Sequence, residues 1–499
     1  MRIHSSSFQA CIARDGVGGA IALISNDGVD MEDVSIVSCS AVDGGGVFFG
    51  TGITSKLVRV NFTSNSATVN GGALWIGQIN KINMTSVTMN NHKALSGASV
   101  YVSDYGLDMN MLDCLIVDSH AEGDGGAMAV LASVENLNIK NVTVSNTSAL
   151  SSGGAFYFGS GVALTDGSGF TKGIFNMTKV TITICDAITG GAIFIGNANQ
   201  GMVFTDIYIS SAGASSEGGA MYISSGVNNI YLNTLNIDAC QSGTQGGGLY
   251  FGGDQSGVLL ISSSFQNTYS GTYGGAIYFE SSITDVTITA CNFTANSASE
   301  SGGALYFNDS VSSVDIDHTS FDRNSAVTAG GAVYIGTGCG DVTATTMVVA
   351  HNYKISYDQS VVAFTQCTFT GNYLTVEDGS QRSCGGAFYI ETDSAVVVKS
   401  STFARNANTS FGGAICINMQ NWLLLNSVDF IANSADNGGG AVTSVGSNSV
   451  YLVDVNVNDN KAGAGGGGFL FRGQDTYVYY SNVLLQGNMA EGYGGSLLY

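Results

Sequence analysis

The chain has 499 residues, 69 glycines, no proline and a formal net charge of −22, with 44% hydrophobic and only 11% charged residues. The missing prolines and absent Gly-X-Y period exclude collagen, and 24 Phe with 22 Tyr exclude a disordered acidic tail. No run of about 18 apolar residues offers a transmembrane helix, and 16 Lys+Arg against 38 Asp+Glu exclude a nucleic-acid surface.

Length alone suggests about three domains, but an internal repeat overrides that prior. A Gly-Gly-small-apolar motif begins at 18, 44, 71, 96, 125, 153, 190, 218, 246, 274, 302, 330, 385, 412, 439, 466 and 494. Ser96-Gly97-Ala98 is the one copy without the Gly pair. The spacing is 28 between 218 and 330, and 25 to 29 elsewhere, apart from 37 (153 to 190) and 55 (330 to 385). Between anchors an apolar residue is followed, three positions on, by a small polar one. The full form is Phe62/Asn65, Phe293/Asn296, Phe321/Asn324, Phe369/Asn372, Phe403/Asn406 and Phe430/Asn433. Val87/Asn90, Ile237/Cys240, Val457/Asn460 and Leu485/Asn488 read as weaker copies. Phe369/Asn372 divides the longest interval, which is one repeat carrying two insertions.

Within the Gly-Gly motif, positions 4 and 6 are apolar in nearly every copy, as Leu305 and Phe307 show. Period 2 is the mark of a strand. Val314-Asp315-Ile316-Asp317 alternates again, and Phe321 opens a third short run. Three short strands per unit without a helix predict an all-β fold, a right-handed parallel β-helix. The expected architecture is about 17 rungs of 27–28 residues, continuous over 1–499, a fragment of a longer array. Insertions are expected near 160–173, 337–358 and 373–384. Stacked rungs bury a face that one rung cannot, and 17 of them at ~4.8 Å give a rod of about 80 Å. The Gly pair supplies a turn. The Asn after Phe is read as a turn residue that tolerates the left-handed conformation. Asn65, Asn296, Asn324, Asn406 and Asn433 are then expected to form an amide ladder.

The paired Gly-Gly-Ala-[Ile/Leu/Val] and Phe-x-x-Asn motifs resemble those of the chlamydial polymorphic membrane proteins and the similar surface proteins of protists. The resemblance spans essentially the whole chain. It implies a right-handed β-helical adhesin, extracellular or at the cell surface, binding a protein or glycan. The bacterial relatives carry a signal peptide and a C-terminal barrel, and neither pattern is visible here.

Motif position 5 alternates outward. Tyr222, Tyr250, Tyr278, Tyr306, Tyr334 and Tyr389 hold it on successive rungs, with Trp75 and Tyr157 earlier. An outer aromatic stripe is a candidate partner or glycan surface. Cys11, Cys39, Cys185 and Cys240 occupy the Asn slot, and Cys114, Cys291 and Cys367 lie two residues before the apolar residue. Cys339 and Cys384, in or beside the insertions, are the expected disulfide. Of the Asn-x-Ser/Thr sequons at Asn61, Asn83, Asn141, Asn146, Asn176, Asn292, Asn308 and Asn408, Asn61 and Asn292 flank inward Phe and are the expected glycan sites.

His4, His92, His120, His318 and His351 have no metal spacing, and no cofactor is expected. Asp27, Asp30, Glu32 and Asp33, or Asp104, Asp108 and Asp113, could offer oxygen ligands to Ca²⁺, although a solvated acidic surface is the simpler reading. The expected function is non-enzymatic, with no catalytic residues assigned. Two alternatives stay open. One is a structural rod that self-associates into a filament, coat or surface layer. The other is a polysaccharide lyase or hydrolase, for which Asp315 and Asp317 are the nearest carboxylate pair.

Overall fold

A computed structural model describes residues 1–25, 28–131, 134–162, 174–340, 361–375, 383–407 and 409–499. The expected insertions fall largely outside these described residues, as do Asp27, His351 and Asn408. The described residues form two compact units, Met1–Gly243 and Thr244–Tyr499. Both are stacks of parallel coils, and the chain is a parallel β-solenoid of about 16 turns. No helix occurs among the described residues.

One coil of the second unit shows how the sequence builds it. Strands Leu305–Phe307, Ser312–Asp317, Ser320–Asp322 and Ser325–Ala326 follow one another. Each pairs in register with the next coil: Tyr306 with Tyr334, Ile316 with Phe364, Phe321 with Phe369. Leu305, Phe307, Ile316 and Phe321 are fully buried, so alternation sends one face of every strand inward. The bends between strands fall on residues in the left-handed region: Gly302 (φ 66°), Ser310 (φ 58°), His318 (φ 47°) and Arg323 (φ 52°). The left-handed residue therefore precedes the ladder Asn, as Ala295 precedes Asn296 and Arg323 precedes Asn324. The Asn itself points inward, which corrects the reading that it makes the turn.

The two glycines have different causes. At Gly302 the positive φ decides, and a Cβ there would sit 2.5 Å from the Leu305 carbonyl oxygen. At Gly303 the neighbouring coil decides, because a Cβ would lie 2.2 Å from the Gly331 oxygen and 2.3 Å from that of Ser325. The third position faces the core Phe: a Cβ on Gly248 would already lie 3.2 Å from the Phe265 ring. Only Ala, Gly or Ser fits there.

Register corrects two weak copies in the first unit. Leu74 pairs with Val100, and Gly97 carries the positive φ of a first motif glycine. The motif is thus Gly97-Ala98-Ser99-Val100, with Ser99 in the small third position. Likewise Phe62 pairs with Met89. The slot three residues on is His92, not Asn90.

The interior of the second unit is layered. Phe265, Phe293, Phe321, Phe369, Phe403 and Phe430 stack with ring centroids 4.5 to 5.1 Å apart. Beside them runs a hydrogen-bonded amide ladder. Each Asn donates its Nδ2 to the next Oδ1, from Asn296 through Asn324, Asn372, Asn406, Asn433 and Asn460 to Asn488, at 2.9 to 3.1 Å. The same Oδ1 accepts the preceding Asn backbone N–H, as Asn372 does from Asn324 at 3.0 Å. The second Nδ2 hydrogen reaches the Phe carbonyl of the coil before, as Asn372 does to Phe321 at 3.0 Å. All four hydrogen-bonding sites of a buried amide are filled, which removes the cost of burying it.

In the first unit the line is mixed. Asn65 accepts the Cys39 N–H at 2.8 Å and donates to the Ile36 carbonyl at 2.9 Å. Its own N–H goes to His92 Nδ1 at 3.1 Å.

The tyrosine ladder and its groove

The fifth motif residues stack on one another. In the second unit Tyr250, Tyr278, Tyr306, Tyr334 and Tyr389 form one column with centroids 4.4 to 5.4 Å apart. That spacing is imposed by the ~4.8 Å separation of paired strands. In the first unit Tyr157, Phe194 and Tyr222 stack at 5.0 and 5.2 Å, and Phe48 lies 4.2 Å from Trp75. Phe48 and Phe194 belong to this row and were not singled out from the sequence.

The column points away from the interior, yet it is not an open stripe. Tyr278 is 3% exposed, and Tyr250 and Tyr306 are 9% exposed. Tyr278, Tyr306 and Tyr334 each carry a ring on both faces, and Tyr389 is followed in the next coil by Cys416. The sheet-facing side is closed by the backbone, and Tyr273 leans onto Tyr306 with centroids 4.7 Å apart. A ligand approaching Tyr278, Tyr306 or Tyr334 meets ring edges and hydroxyls, not faces. Those hydroxyls are held: Tyr334 donates to Glu391 Oε2 at 2.6 Å and Tyr250 to Glu280 Oε2 at 2.8 Å. Burial, followed by the nearby carboxylates, raises the Tyr334 and Tyr278 phenols far above their ordinary value. Tyr273 is pushed up to about 12 by its hydrogen bond to Glu300 and by burial. All stay protonated donors at neutral pH.

A lattice step explains what surrounds the column. The residue before a Gly-Gly pair meets the fifth motif residue of the next coil. Tyr273 meets Tyr306 in this way. A Cβ on Gly438 would strike Leu470, and one on Gly465 would strike Leu498. Cys384 and Cys416 stand in the same relation and are bonded, with Cα atoms 5.6 Å apart. The expected Cys339–Cys384 bridge is therefore replaced by Cys384–Cys416. Cys339 is instead a fully buried corner residue whose thiol donates to the Asn308 carbonyl at 2.9 Å. Burial raises its thiol to about 12.

Where this step places Ser301 beside Tyr334 and Ala329 beside Tyr389, the small side chains leave a groove of ≈ 760 Å³. Its floor is Tyr306, Tyr334 and Tyr389. Tyr273 and Glu300 stand at one end, and the disulfide, Phe411 and Arg472 at the other. Arg472 lies over the Phe411 ring, 6.0 Å from its centroid. Asn418 and Glu391 line the side, 3.4 Å apart. Tyr273, Glu300, Glu391, Phe411 and Arg472 were not identified from sequence. The diagonal step is the signal that finds them, and it needs a known register.

Arg59 is paired with Glu32 at 2.6 Å and Asp33 at 2.7 Å, and its guanidinium holds Asp33 below the ordinary carboxylate value. Asp108 faces Lys81 at 3.5 Å. Among the described residues no group of three or more His, Cys, Asp or Glu is arranged to hold a metal ion. Asp315 and Asp317 share the outer face of one strand, and Asp317 is bound to His318 Nδ1 at 2.6 Å. Asn61 and Asn292 are exposed. Asn292 Oδ1 accepts Ser320 at 2.7 Å. The sequons Asn141 and Asn146 instead donate to Asp113 and Asp118.

Set against known proteins, the chain matches no family model, no curated protein and no solved structure. Among the described residues no helix is long and apolar enough to cross a membrane.

Proposed function

We propose that the chain is a non-enzymatic binding module of the adhesin type. It works outside the cell or at its surface and holds a protein or glycan partner in the groove of its second unit. The observation that carries this reading is the ≈ 760 Å³ groove over Tyr306, Tyr334 and Tyr389. Its size is that of sites that enclose a ligand, ~300–1,000 Å³. Its apolar floor is edged by a few fixed polar groups, the pattern by which such sites set orientation. Two further facts support the reading. A disulfide in the groove wall suits an oxidising compartment. The motif resemblance to polymorphic membrane proteins implies the same location.

The test is saturable binding of the purified chain to cultured cells and to an immobilised glycan and protein panel. Tyr334→Ser with Tyr389→Ser removes two floor residues while the inner strand faces persist. Binding should fall at least about ten-fold, the scale of losing ~1.4 kcal/mol. Unchanged binding by a variant with wild-type circular dichroism would overturn the groove as the site.

A further inference from the structure

Resting on that reading, we infer that the occupant of the groove is a basic, extended peptide segment of a protein partner. Three observations lead there. The first is shape. The groove's lining runs from the coil of Tyr306 to that of Arg472, five coil steps apart. At ~4.8 Å per step this is about 24 Å, the length of roughly seven extended residues.

The second is the state of the tyrosine rings. They stack face to face along the column, so Tyr306 and Tyr334 offer no free π-face to a sugar ring or a quaternary ammonium, and Tyr389 is followed in the next coil by Cys416 of the disulfide. The recognition left to the floor is hydrogen bonding to hydroxyl edges and to the groups beside them.

The third is charge. Glu391 receives Tyr334 Oη at 2.6 Å and Asn418 Nδ2 at 3.4 Å. Glu300 receives Tyr273. These donors are neutral, so they orient the carboxylates without cancelling their charge. Among the described residues neither carboxylate forms an ion pair, whereas Arg59, Lys81 and Arg323 each engage an acid. Two fixed, uncompensated carboxylates beside an elongated, partly apolar slot favour lysine or arginine side chains at intervals along a strand. A charged partner here also gains from the low-dielectric tyrosine floor. Arg472 closes the far end and disfavours continued positive charge there.

The experiment uses the full chain and fluorescence anisotropy of labelled seven-residue peptides. One alternates Gly and Lys, one Gly and Glu, and one Gly and Ser. A neutral linear oligosaccharide serves as competitor. The Lys peptide should bind saturably, the other two at least about ten-fold more weakly, and the oligosaccharide should not compete. Glu300→Gln with Glu391→Gln keeps both hydrogen-bond acceptors and should weaken the Lys peptide about ten-fold or more. Asp104→Asn with Glu122→Gln, in the first unit, should change it less than about two-fold. Equal losses in the two double variants would mean that net charge alone attracts the peptide, and would overturn the inference. So would preference for the Glu peptide or competition by the oligosaccharide.

Ala329→Trp, which fills the slot beside Tyr389, separates this inference from the reading it rests on. If it abolishes cell binding while the Lys peptide never binds, the groove stands and its occupant is not basic. If it leaves cell binding intact, the groove itself is not the site.

Discussion

Two side chains define the chemistry of the inner line. Asn372 makes every hydrogen bond its amide can make, to Asn324, Asn406 and Phe321. Asn372→Ala strands the Asn324 N–H, one Nδ2 hydrogen and the Phe321 carbonyl in a dry interior. At ~1–3 kcal/mol for each of these three groups, a loss of at least roughly 3 kcal/mol is expected in denaturant unfolding. Asn372→Asp keeps the shape but has no donor for Phe321 and buries a charge. It should be at least as damaging, and a near-neutral Asp variant would refute the ladder as the cause.

His92 fills the corresponding slot of the first unit and is fully buried, with Nε2 lacking a partner. Burial lowers its pKa to about 4 from 6.5. The folded state thus binds the proton less readily than the unfolded chain. Its contribution is fully present above pH 6.5 and is lost as pH falls from 6.5 toward 4, by about 3 kcal/mol in all. His92→Asn offers an amide to the Asn65 N–H that His92 now accepts and has no proton to gain. Its stability should differ little from wild type at pH 7 and should lack that acid-side decline.

At the scale of strands, each repeat is read against the coil below it, and this is where the disulfide belongs. Cys384–Cys416 spans 32 residues. Chain entropy alone assigns such a loop about 3–4 kcal/mol. Cys416→Ser should lower the stability of the second unit by roughly 2–4 kcal/mol, and dithiothreitol should do the same to wild type but nothing further to the variant. The diagonal step predicts an equivalent bridge from Ser301→Cys with Tyr334→Cys. Quantitative reaction of both new thiols with an alkylating reagent after air oxidation would show that the step is not general.

The strong copies of the repeat were legible because glycine and Phe-x-x-Asn sit where the backbone and the amide ladder leave no alternative. The copies at Gly97 and His92 were misread by one and two residues, because each had lost the residue that sets the register. Cys339 was misassigned for a related reason. Nearness to an insertion is a weaker guide than the row a residue occupies, and Cys339 belongs to an inward corner. The burial of Tyr278 was hidden too, since alternation gives direction but not what the adjacent rings and Tyr273 cover.

Over the whole molecule the dominant quantity is net charge. At −22 the folded chain repels itself, while the absence of proline lets the backbone N–H groups of the central strands serve the ladders between coils. Raising salt from ~0.01 to ~0.15 M shortens the Debye length from about 30 to 8 Å. Thermal unfolding at pH 7 should therefore move upward by roughly 2–4 °C, a shift that for units of about 250 residues corresponds to ~1 kcal/mol. The His92 effect has another origin. It is a local desolvation cost inside the core, which mobile ions do not reach. The ordinary carboxylate range lies near 4, so most of the net charge persists between pH 6.5 and 5.5 while His92 is already losing its contribution. A grid of salt against pH for wild type and His92→Asn separates the two. The salt shift should be equal in both proteins, and the extra acid-side loss of wild type should be equal at both salt concentrations, the additivity expected of independent causes. If salt rescues wild type at pH 5.5 more than it rescues His92→Asn, the acid sensitivity is long-range electrostatics, and the buried imidazole is not its source.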